Sequence, residues 1–489
     1  MPALNAAQTA RPTALEAFAA SLATQDVIAR LRDGVIGEGA VFDGPFGPQK
    51  LLYADYVASG RALRQVESFM MEQVLPFYAN SHTEASYCGG MMTRMRREAR
   101  AIIARECGAD DSFATVFAGA GATAGLNRLV HLLGVSEAVA QGENPLVLLG
   151  PYEHHSNILP WRESGSEVVE IAEAANGGPD MAALEAALIA ASGRRIVGAF
   201  SAASNVTGIT TDADAVTRLL KRHGALAVWD YAGGGPYLPI DMRAGTDAEK
   251  DAVVISSHKF VGGPGASGVM IVRKAAVCSR RMFQPGGGTV KFVSPTAHDY
   301  SSDIATREEA GTPNVVGDIR AALVFIVKAA IGQARMNARH AELRARALAV
   351  WGKNPNMQLM GNQNAQALPI FSFRVRDPAR GGFLHHQLFT RLLSDVYGIQ
   401  ARGGCACAGP YAHRLLGIDA VESEAIRAAI LRGEEMEKPG WTRLNFSALM
   451  DDAKADKVIA AVDALARNPY PMADAYACDT STARFRPAA

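Results

Sequence analysis

The sequence predicts an α/β fold, with a large domain built on a mostly parallel sheet and a smaller C-terminal α/β domain. Two observations lead to this prediction. A chain of 489 residues is too long for one hydrophobic core. From residue 145 onward short apolar runs alternate with helical stretches, and the alternation returns after about residue 365, which is typical of sheets covered by helices on both faces. The predicted strands of the large domain are 145–150, 195–201, 226–230, 252–256 and 267–273.

The composition favours a small molecule as the binding partner. The chain has 49 basic and 49 acidic residues, so its formal net charge is zero and nothing suggests nucleic acid or an anionic membrane as a partner. No apolar run is long enough to span a membrane, and the N-terminus lacks the pattern of a signal peptide. We therefore expect a cytoplasmic protein whose six scattered cysteines are reduced.

Three segments are predicted along the chain. The first contains a disordered leader of eleven residues and an amphipathic helix, which a capping box at Thr13 and Glu16 opens. We expect this helix to pack on the small domain. The segments are residues 1–50, the large domain at 51–318 and the small domain at 319–489.

One lysine stands at the end of an apolar run that predicts a buried strand. Within Val253–Gly265, Lys259 follows the run and precedes a glycine-rich loop. Desolvation there can lower the pKa of the amine and make it a nucleophile towards carbonyl groups, as in a Schiff base. A lysine that merely reaches from a strand end to solvent fits this stretch equally well.

Asp230 favours the Schiff-base interpretation. It ends a second apolar run, Leu226–Asp230, so a carboxylate and Lys259 are predicted at the same sheet edge. Pyridoxal phosphate requires a lysine for attachment and a carboxylate that keeps its pyridine nitrogen protonated. An aspartate that only caps a strand end is the common alternative.

A glycine-rich turn predicts the phosphate site of such a cofactor. The apolar run Ala114–Phe117 leads through Ala118–Thr123 into a predicted helix that ends at Gly134. Strand, glycine loop and helix N-terminus together present free backbone N–H groups to an anion. Gly-Lys-Ser/Thr is missing, so this is not a Walker loop.

Further polar residues follow strands of the predicted sheet or lie in the C-terminal domain. Of the adjacent His154 and His155, only one is expected to face a ligand; a metal-bound pair is the alternative, but no third ligand follows at suitable spacing. The polar run Asn80–Ser86, with His82 as a candidate substrate contact, could line a site or form a surface loop. The other candidates are Asn205, the thiols Cys405 and Cys407 in a glycine-rich loop, and Arg443, which could clamp a carboxylate.

Together these motifs resemble class-V aminotransferase-fold enzymes, in particular the cysteine desulfurase/selenocysteine lyase group and the related molybdenum-cofactor sulfurase domain. The resemblance covers roughly residues 50 to 465, in the same order. It implies fold type I, a homodimer with active sites at the subunit interface, and pyridoxal 5'-phosphate as cofactor. The motifs that carry it are His154–Trp161, Ser256–Lys259, Glu309–Asn314 and the loop from Arg402 to Pro410.

The resemblance also implies a role for each matching residue. Lys259 would bind the cofactor covalently, Asp230 would pair with its pyridine nitrogen, and His154 would stack on its ring. Asn205 would approach the ring hydroxyl, Arg443 would clamp the substrate carboxylate, and Cys407 would take up sulfur as a persulfide. The phosphate would be held by Ala122, Thr123, Ser256 and His258, with Thr312 from the other subunit.

The sequence departs from the pattern of this family at three places, and these differences bear on the substrate more than on the cofactor. Gly233 stands where the family has a glutamine, Cys405 adds a second thiol beside Cys407, and Asn80–Ser86 differs from bacterial desulfurases. The sequence therefore predicts a cysteine desulfurase-like lyase that forms alanine and passes sulfur to an acceptor protein. An aminotransferase, epimerase or β-lyase acting on another amino acid is the alternative, and a catalytically silent scaffold is a third hypothesis, against which the retained Lys259 and Asp230 argue.

Overall fold

The computed structural model describes residues 12–81, 83–279, 281–470 and 472–488. The predicted leader, residues 1–11, lies outside this part of the chain, and so does His82. Among the described residues, none of the helices combines the length and the apolar character needed to cross a membrane.

A seven-stranded sheet forms the centre of the large domain. Five neighbouring strands are parallel, as predicted, whereas Val269–Arg273 is antiparallel to both of its neighbours. The edge strand Glu167–Glu170 is partly exposed, and the sequence analysis missed it. In spatial order the strands are Phe113–Phe117, Val269–Arg273, Ala252–Ile255, Leu226–Asp230, Ile196–Ser201, Leu146–Leu149 and Glu167–Glu170.

Both faces of this sheet are covered, which explains why its inner strands are largely apolar. Side chains alternate between the faces of a strand, so Val253 and Ile255 belong to one apolar cluster while Val254 belongs to the other. All three are fully buried. The α-helices of this part of the chain are Arg64–Phe69, Tyr87–Glu106, Ala122–Leu132, Val135–Ala140, Leu159–Glu163, Met181–Ala190, Ala213–Arg222 and Ile304–Glu308.

The N-terminal helices pack in the apolar cluster on one face of the large sheet. They lie partly against Val315–Ile331, most of which falls within the predicted small domain, so their packing on that domain stays a prediction. The amphipathic segment is divided into Ala14–Leu22 and Val27–Asp33, and the predicted capping box at the first helix is present. The first helix lies against Tyr87–Glu106 and Val315–Ile331. Its buried residues Leu15, Phe18 and Leu22 join the apolar cluster on one face of the central sheet.

The predicted helical region from 319 to 350 consists of two helices, Val315–Ile331 and Gln333–Trp351. They separate at Gly332, whose φ of 84° is incompatible with a continuous helix. The first of the two packs in the cluster of the large sheet along its length, for instance through Ile319 and Ile331. The domain limits derived from the sequence stay a prediction.

A second, antiparallel sheet lies in the C-terminal part. It has four strands, and its apolar side chains pack with Trp351 in a separate cluster. Its strands in spatial order are Met357–Leu359, Ile370–Val375, Trp441–Asn445 and Arg402–Gly404. The α-helices that follow Trp351 are His386–Tyr397, Gly409–Leu416, Ala420–Leu431 and Asp452–Arg467.

The remaining strands are short. Leu52–Tyr53 pairs in parallel with Ile399–Gln400, which attaches the chain just before Asp55 to the small sheet's cluster. The other strands form three hairpins, Val41–Gly44 with Gly47–Lys50, Val290–Val293 with His298–Tyr300, and Tyr476–Asp479 with Arg484–Pro487.

Candidate active site

A cleft with a cavity volume of about 250 Å³ lies at the carboxyl ends of the parallel strands, where the small sheet meets the large one. The fold brings ten of the twelve predicted site residues to its lining, although they are spread over more than 300 positions of the chain. These residues are Ala122, Thr123, His154, Asn205, Asp230, Ser256, His258, Lys259, Cys407 and Arg443.

Lys259 reaches the cleft from a single helical turn directly after the strand Ala252–Ile255. Gly60 N donates to His258 O at 3.0 Å, and a Cβ on Gly60 would lie 1.7 Å from Phe260 O, so only glycine permits this approach. Burial lowers the pKa of the Lys259 amine to about 8, and the Asp230 carboxylate partly opposes that shift. The amine is therefore a better nucleophile near neutral pH than an exposed lysine.

Asp230 ends the neighbouring strand and points into the same cleft. It is 4% exposed and accepts a hydrogen bond from Ala232 N at 2.7 Å. Burial raises the pKa of the carboxyl, and the hydrogen bond and nearby Lys259 lower it. A carboxylate in this position can hold a proton on a heteroaromatic nitrogen facing it.

The predicted phosphate loop has the geometry of an anion cradle. Gly121 has a φ of 139°, and a Cβ there would lie 3.1 Å from Ser256 Oγ and 3.2 Å from a ring carbon of His258. The next residue, Ala122, opens the helix Ala122–Leu132 and donates its N–H to Ser256 Oγ at 3.0 Å. A helix N-terminus, two hydroxyl groups and a histidine therefore converge on a point that a side chain at Gly121 would obstruct.

His154 lines the cleft as a neutral ring. Its Nδ1 accepts a hydrogen bond from Ser156 N at 3.1 Å. Burial is the main reason that the pKa of His154 falls to about 4, and the positive charge of Lys259 adds to the effect. Its neighbour His155 points away from the cleft and accepts from Gly409 N at 2.8 Å, so the two histidines have different partners. Among the described residues, no group of three or more His, Cys, Asp or Glu side chains is placed to hold a metal.

The sequence analysis missed two buried acids of this site. Asp55 accepts from Arg443 Nη2 at 3.0 Å and from Arg402 Nε at 3.0 Å, and so holds both arginines at the cleft. Glu153 accepts from Ser201 N at 2.7 Å and lies behind the strand end, where burial raises its pKa to about 7. Both follow apolar runs in the sequence, which is the signal that could have identified them.

Cys407 is exposed and belongs to a short loop between the strand Arg402–Gly404 and the helix Gly409–Leu416. Cys405 is partly buried and packs against the apolar cluster around Tyr152 and Tyr411. Only Cys407 of the two lines the cleft.

Of the two remaining predicted contacts, the structure describes only Thr312, which was expected to act at the other subunit. Thr312 is exposed and lies just before the helix Val315–Ile331, outside the cleft lining. His82 lies outside the described residues. Gly233, where the resemblance expects a glutamine, stands beside Asn205, and a Cβ there would make only ordinary contacts of 3.4 Å and longer.

The residues present fit pyridoxal phosphate. Asn205 Oδ1 and Arg443 Nε are buried polar atoms without a hydrogen-bond partner among the described residues, and a ligand in the cleft could satisfy them. A lysine amine, a buried carboxylate and an anion cradle surround the same space, and these are the groups that hold the aldehyde, the pyridine nitrogen and the phosphate.

Comparison with known proteins agrees with this chemistry. The chain is 28% identical over 365 residues to a probable cysteine desulfurase of Vibrio cholerae, which covers 74% of this chain and 85% of that protein. It is 27% identical over 368 residues to a cysteine desulfurase of Salmonella typhimurium, with coverages of 74% and 85%.

Solved structures of cysteine desulfurases share the fold. The apo structure from Thermococcus onnurineus NA1 has a TM-score of 0.73 at 22% identity and covers 89% of this chain and 97% of its own. The cysteine desulfurase CsdA of Escherichia coli has a TM-score of 0.66 at 22% identity, with coverages of 84% and 94%. The predicted fold type I is thus confirmed.

The family described as Aminotransferase class-V matches residues 52–438, which is most of the chain and includes the residues from Asp55 to Cys407 that line or support the cleft. The chain therefore belongs to the class-V aminotransferase family and is a pyridoxal-phosphate-dependent enzyme.

Proposed function

We propose that this enzyme is a cysteine desulfurase, which removes sulfur from L-cysteine to give alanine and carries the sulfur as a persulfide on Cys407. The observation that carries the proposal is the position of an exposed thiol in the lining of the cleft that also contains Lys259 and Arg443. The relatives named above, which are called cysteine desulfurases, support it.

Bound pyridoxal phosphate supplies an electron sink that weakens bonds around the α-carbon of an amino acid. Asp230 would keep the pyridine nitrogen of the cofactor charged, and His154 would provide a neutral ring beside it. The N-terminus of Ala122–Leu132, with Thr123, Ser256 and His258, would hold the phosphate.

The substrate carboxylate binds at Arg443. This guanidinium is 3% exposed, is already held by Asp55 and by Asn205 O, and keeps Nε free of any partner among the described residues. An arginine fixed in this way offers a charged donor whose orientation is set before the substrate arrives.

The chain's own groups move the protons and the sulfur. Lys259 Nζ takes the proton from the substrate α-carbon, which its lowered pKa makes feasible near neutral pH. The thiolate of Cys407 attacks the substrate sulfur, an S–S bond forms as the C–S bond breaks, and the electron pair of the C–S bond remains on the β-carbon. Protonation of that carbon and return of a proton from Lys259 to the α-carbon give alanine, and an acceptor thiol then removes the sulfur from Cys407 by exchange.

We further propose a cytoplasmic homodimer. In the described part of the chain Thr312 is exposed and apart from the cleft, which is consistent with a role at the phosphate of the other subunit. The sulfur would pass to an acceptor protein, because Cys407 is accessible from outside the cleft.

The experiment is an absorbance spectrum of the holoenzyme before and after L-cysteine, with alanine and sulfide assayed in the same sample. Wild type should show a cofactor band that is lost in Lys259→Ala. With excess dithiothreitol present to reduce the persulfide on Cys407, it should form alanine and sulfide in equal amounts. Cys407→Ala should keep the band and lose desulfuration, whereas Cys278→Ala, which removes another exposed thiol, should keep both.

A different pattern would select the alternative. If the band is present and cysteine yields neither product, the cofactor assignment stands and the enzyme is an aminotransferase, epimerase or β-lyase for another amino acid. A colourless protein after addition of pyridoxal phosphate would indicate a silent scaffold.

A further inference from the structure

The loop that carries Cys407 has a backbone conformation that must be held by its surroundings. Residues Cys405–Ala408, the cysteine loop, join the strand Arg402–Gly404 to the helix Gly409–Leu416. Ala406 has a φ of 54° and Cys407 a φ of 55°. Two consecutive non-glycine residues in the left-handed region are uncommon and persist only where neighbouring groups hold them in place.

Hydrogen bonds to neighbouring residues hold this loop and the first residue of the helix after it, and His155 takes part in two of them. The backbone N–H of His155 donates to Cys407 O at 2.8 Å. Its ring Nε2 accepts from Gly409 N at 2.8 Å, on the other side of the thiol. A further bond joins Asn205 Nδ2 to Ala406 O at 2.8 Å.

The ring of His155 acts as a cap for the helix that follows the loop. Gly409 N is a first-turn N–H group and therefore has no partner within its own helix. A Cβ on Gly409 would lie 3.0 Å from His155 Nε2, so glycine permits the close approach of the ring. Burial lowers the pKa of His155, which keeps the ring neutral and its Nε2 able to accept.

We propose that His155 is a positioning residue that holds the thiol of Cys407 at the mouth of the cleft. Its neighbour His154 lines the cleft. The two adjacent histidines therefore contact the proposed cofactor site on one side and the loop that carries Cys407 on the other. The consequence for sulfur transfer rests on the proposed function, whereas the consequence for thiol reactivity does not.

The test compares the variants His155→Ala and His155→Gln in the holoenzyme. The alkylation rate of Cys407 by iodoacetamide is followed by mass spectrometry of its peptide, and alanine formation from L-cysteine is followed in a single turnover. His155→Ala removes the acceptor of the Gly409 N–H, which should change the alkylation rate and the rate of alanine formation by about twofold to tenfold each. The Gln side chain can still accept from Gly409 N, so His155→Gln should return both rates towards wild type.

The control is His223→Ala, at the end of the helix Ala213–Arg222 and away from the loop. It should match wild type, and all variants should keep the absorbance of the bound cofactor. An alkylation rate in His155→Ala within twofold of wild type, or a Gln variant that behaves like the Ala variant, overturns the proposal. If wild type forms no alanine from cysteine, the proposed function fails, and the alkylation rates alone decide the role of His155.

Discussion

The substitution Asp55→Asn removes the negative charge that holds two arginines at the cleft. The Asp55 side chain is 11% exposed and accepts from Arg443, whose side chain is 4% exposed. Burial lowers the pKa of Arg443, and the Asp55 charge is the main opposing influence. The Asn variant keeps one acceptor oxygen and the same shape, so the main change is an uncompensated buried guanidinium.

The expected loss of unfolding free energy in Asp55→Asn is large for a single substitution. Breaking a buried ion pair by removing one partner costs about 3–5 kcal/mol of unfolding free energy. Because the oxygen that remains in Asn can still accept a hydrogen bond, we expect the lower end of this range, about 3 kcal/mol. The matched control is Asp474→Asn, which also removes a carboxylate from an arginine, Arg380, at 2.7 Å. That pair is 60% and 55% exposed, so solvent screens it and its loss should lower the unfolding free energy far less than the loss of the Asp55 pair.

Urea unfolding followed by tryptophan fluorescence measures both variants. All four tryptophans are buried, and Trp441 lies on the same strand as Arg443, so the transition reports on this region. Equal losses of unfolding free energy for Asp55→Asn and Asp474→Asn would refute the argument that burial makes the Asp55 pair critical. In the desulfuration assay we also expect a higher KM for Asp55→Asn, because Arg443 loses its fixed orientation.

Three further predictions concern the cofactor. Gly121→Ala should weaken binding of pyridoxal phosphate in an absorbance titration by about tenfold or more, whereas Gly142→Ala, with φ of 81° and open space around it, should leave binding unchanged. The rate at which the apo-enzyme binds pyridoxal phosphate covalently should rise with pH up to about pH 8 and then level off, because the lowered pKa of Lys259 leaves its amine unprotonated there. A rate that continues to rise past about pH 10 would contradict this prediction. His154→Phe should keep the cofactor affinity in the same titration, and His154→Ala should lose about two- to tenfold, as expected for an aromatic stack worth about 0.5–1.5 kcal/mol.

Local sequence patterns were sufficient to predict the buried strands of the large sheet and the residues at their ends. Uniformly apolar runs predicted five strands of the large sheet to within a few residues, and Asp230 and Lys259 follow from where those runs stop. The helix Tyr87–Glu106 was not predicted. Its first turn contains Gly89 and Gly90, which are weak helix formers, so the local pattern does not indicate a helix. Packing against Val315–Ile331 stabilises it.

The amino-acid sequence by itself determined the parallel core of the fold and indicated the lysine, the aspartate and the glycine loop that we propose for the cofactor site, because each depends on residues close together in the chain. Only the tertiary structure decided that Val269–Arg273 runs antiparallel, since strand direction depends on which neighbours a strand joins. The same is true of the pair between Asp55 and Arg443. Asp55 reaches Arg443 because the chain before it pairs with Ile399–Gln400 and packs in the cluster of the small sheet, and no local pattern records that contact.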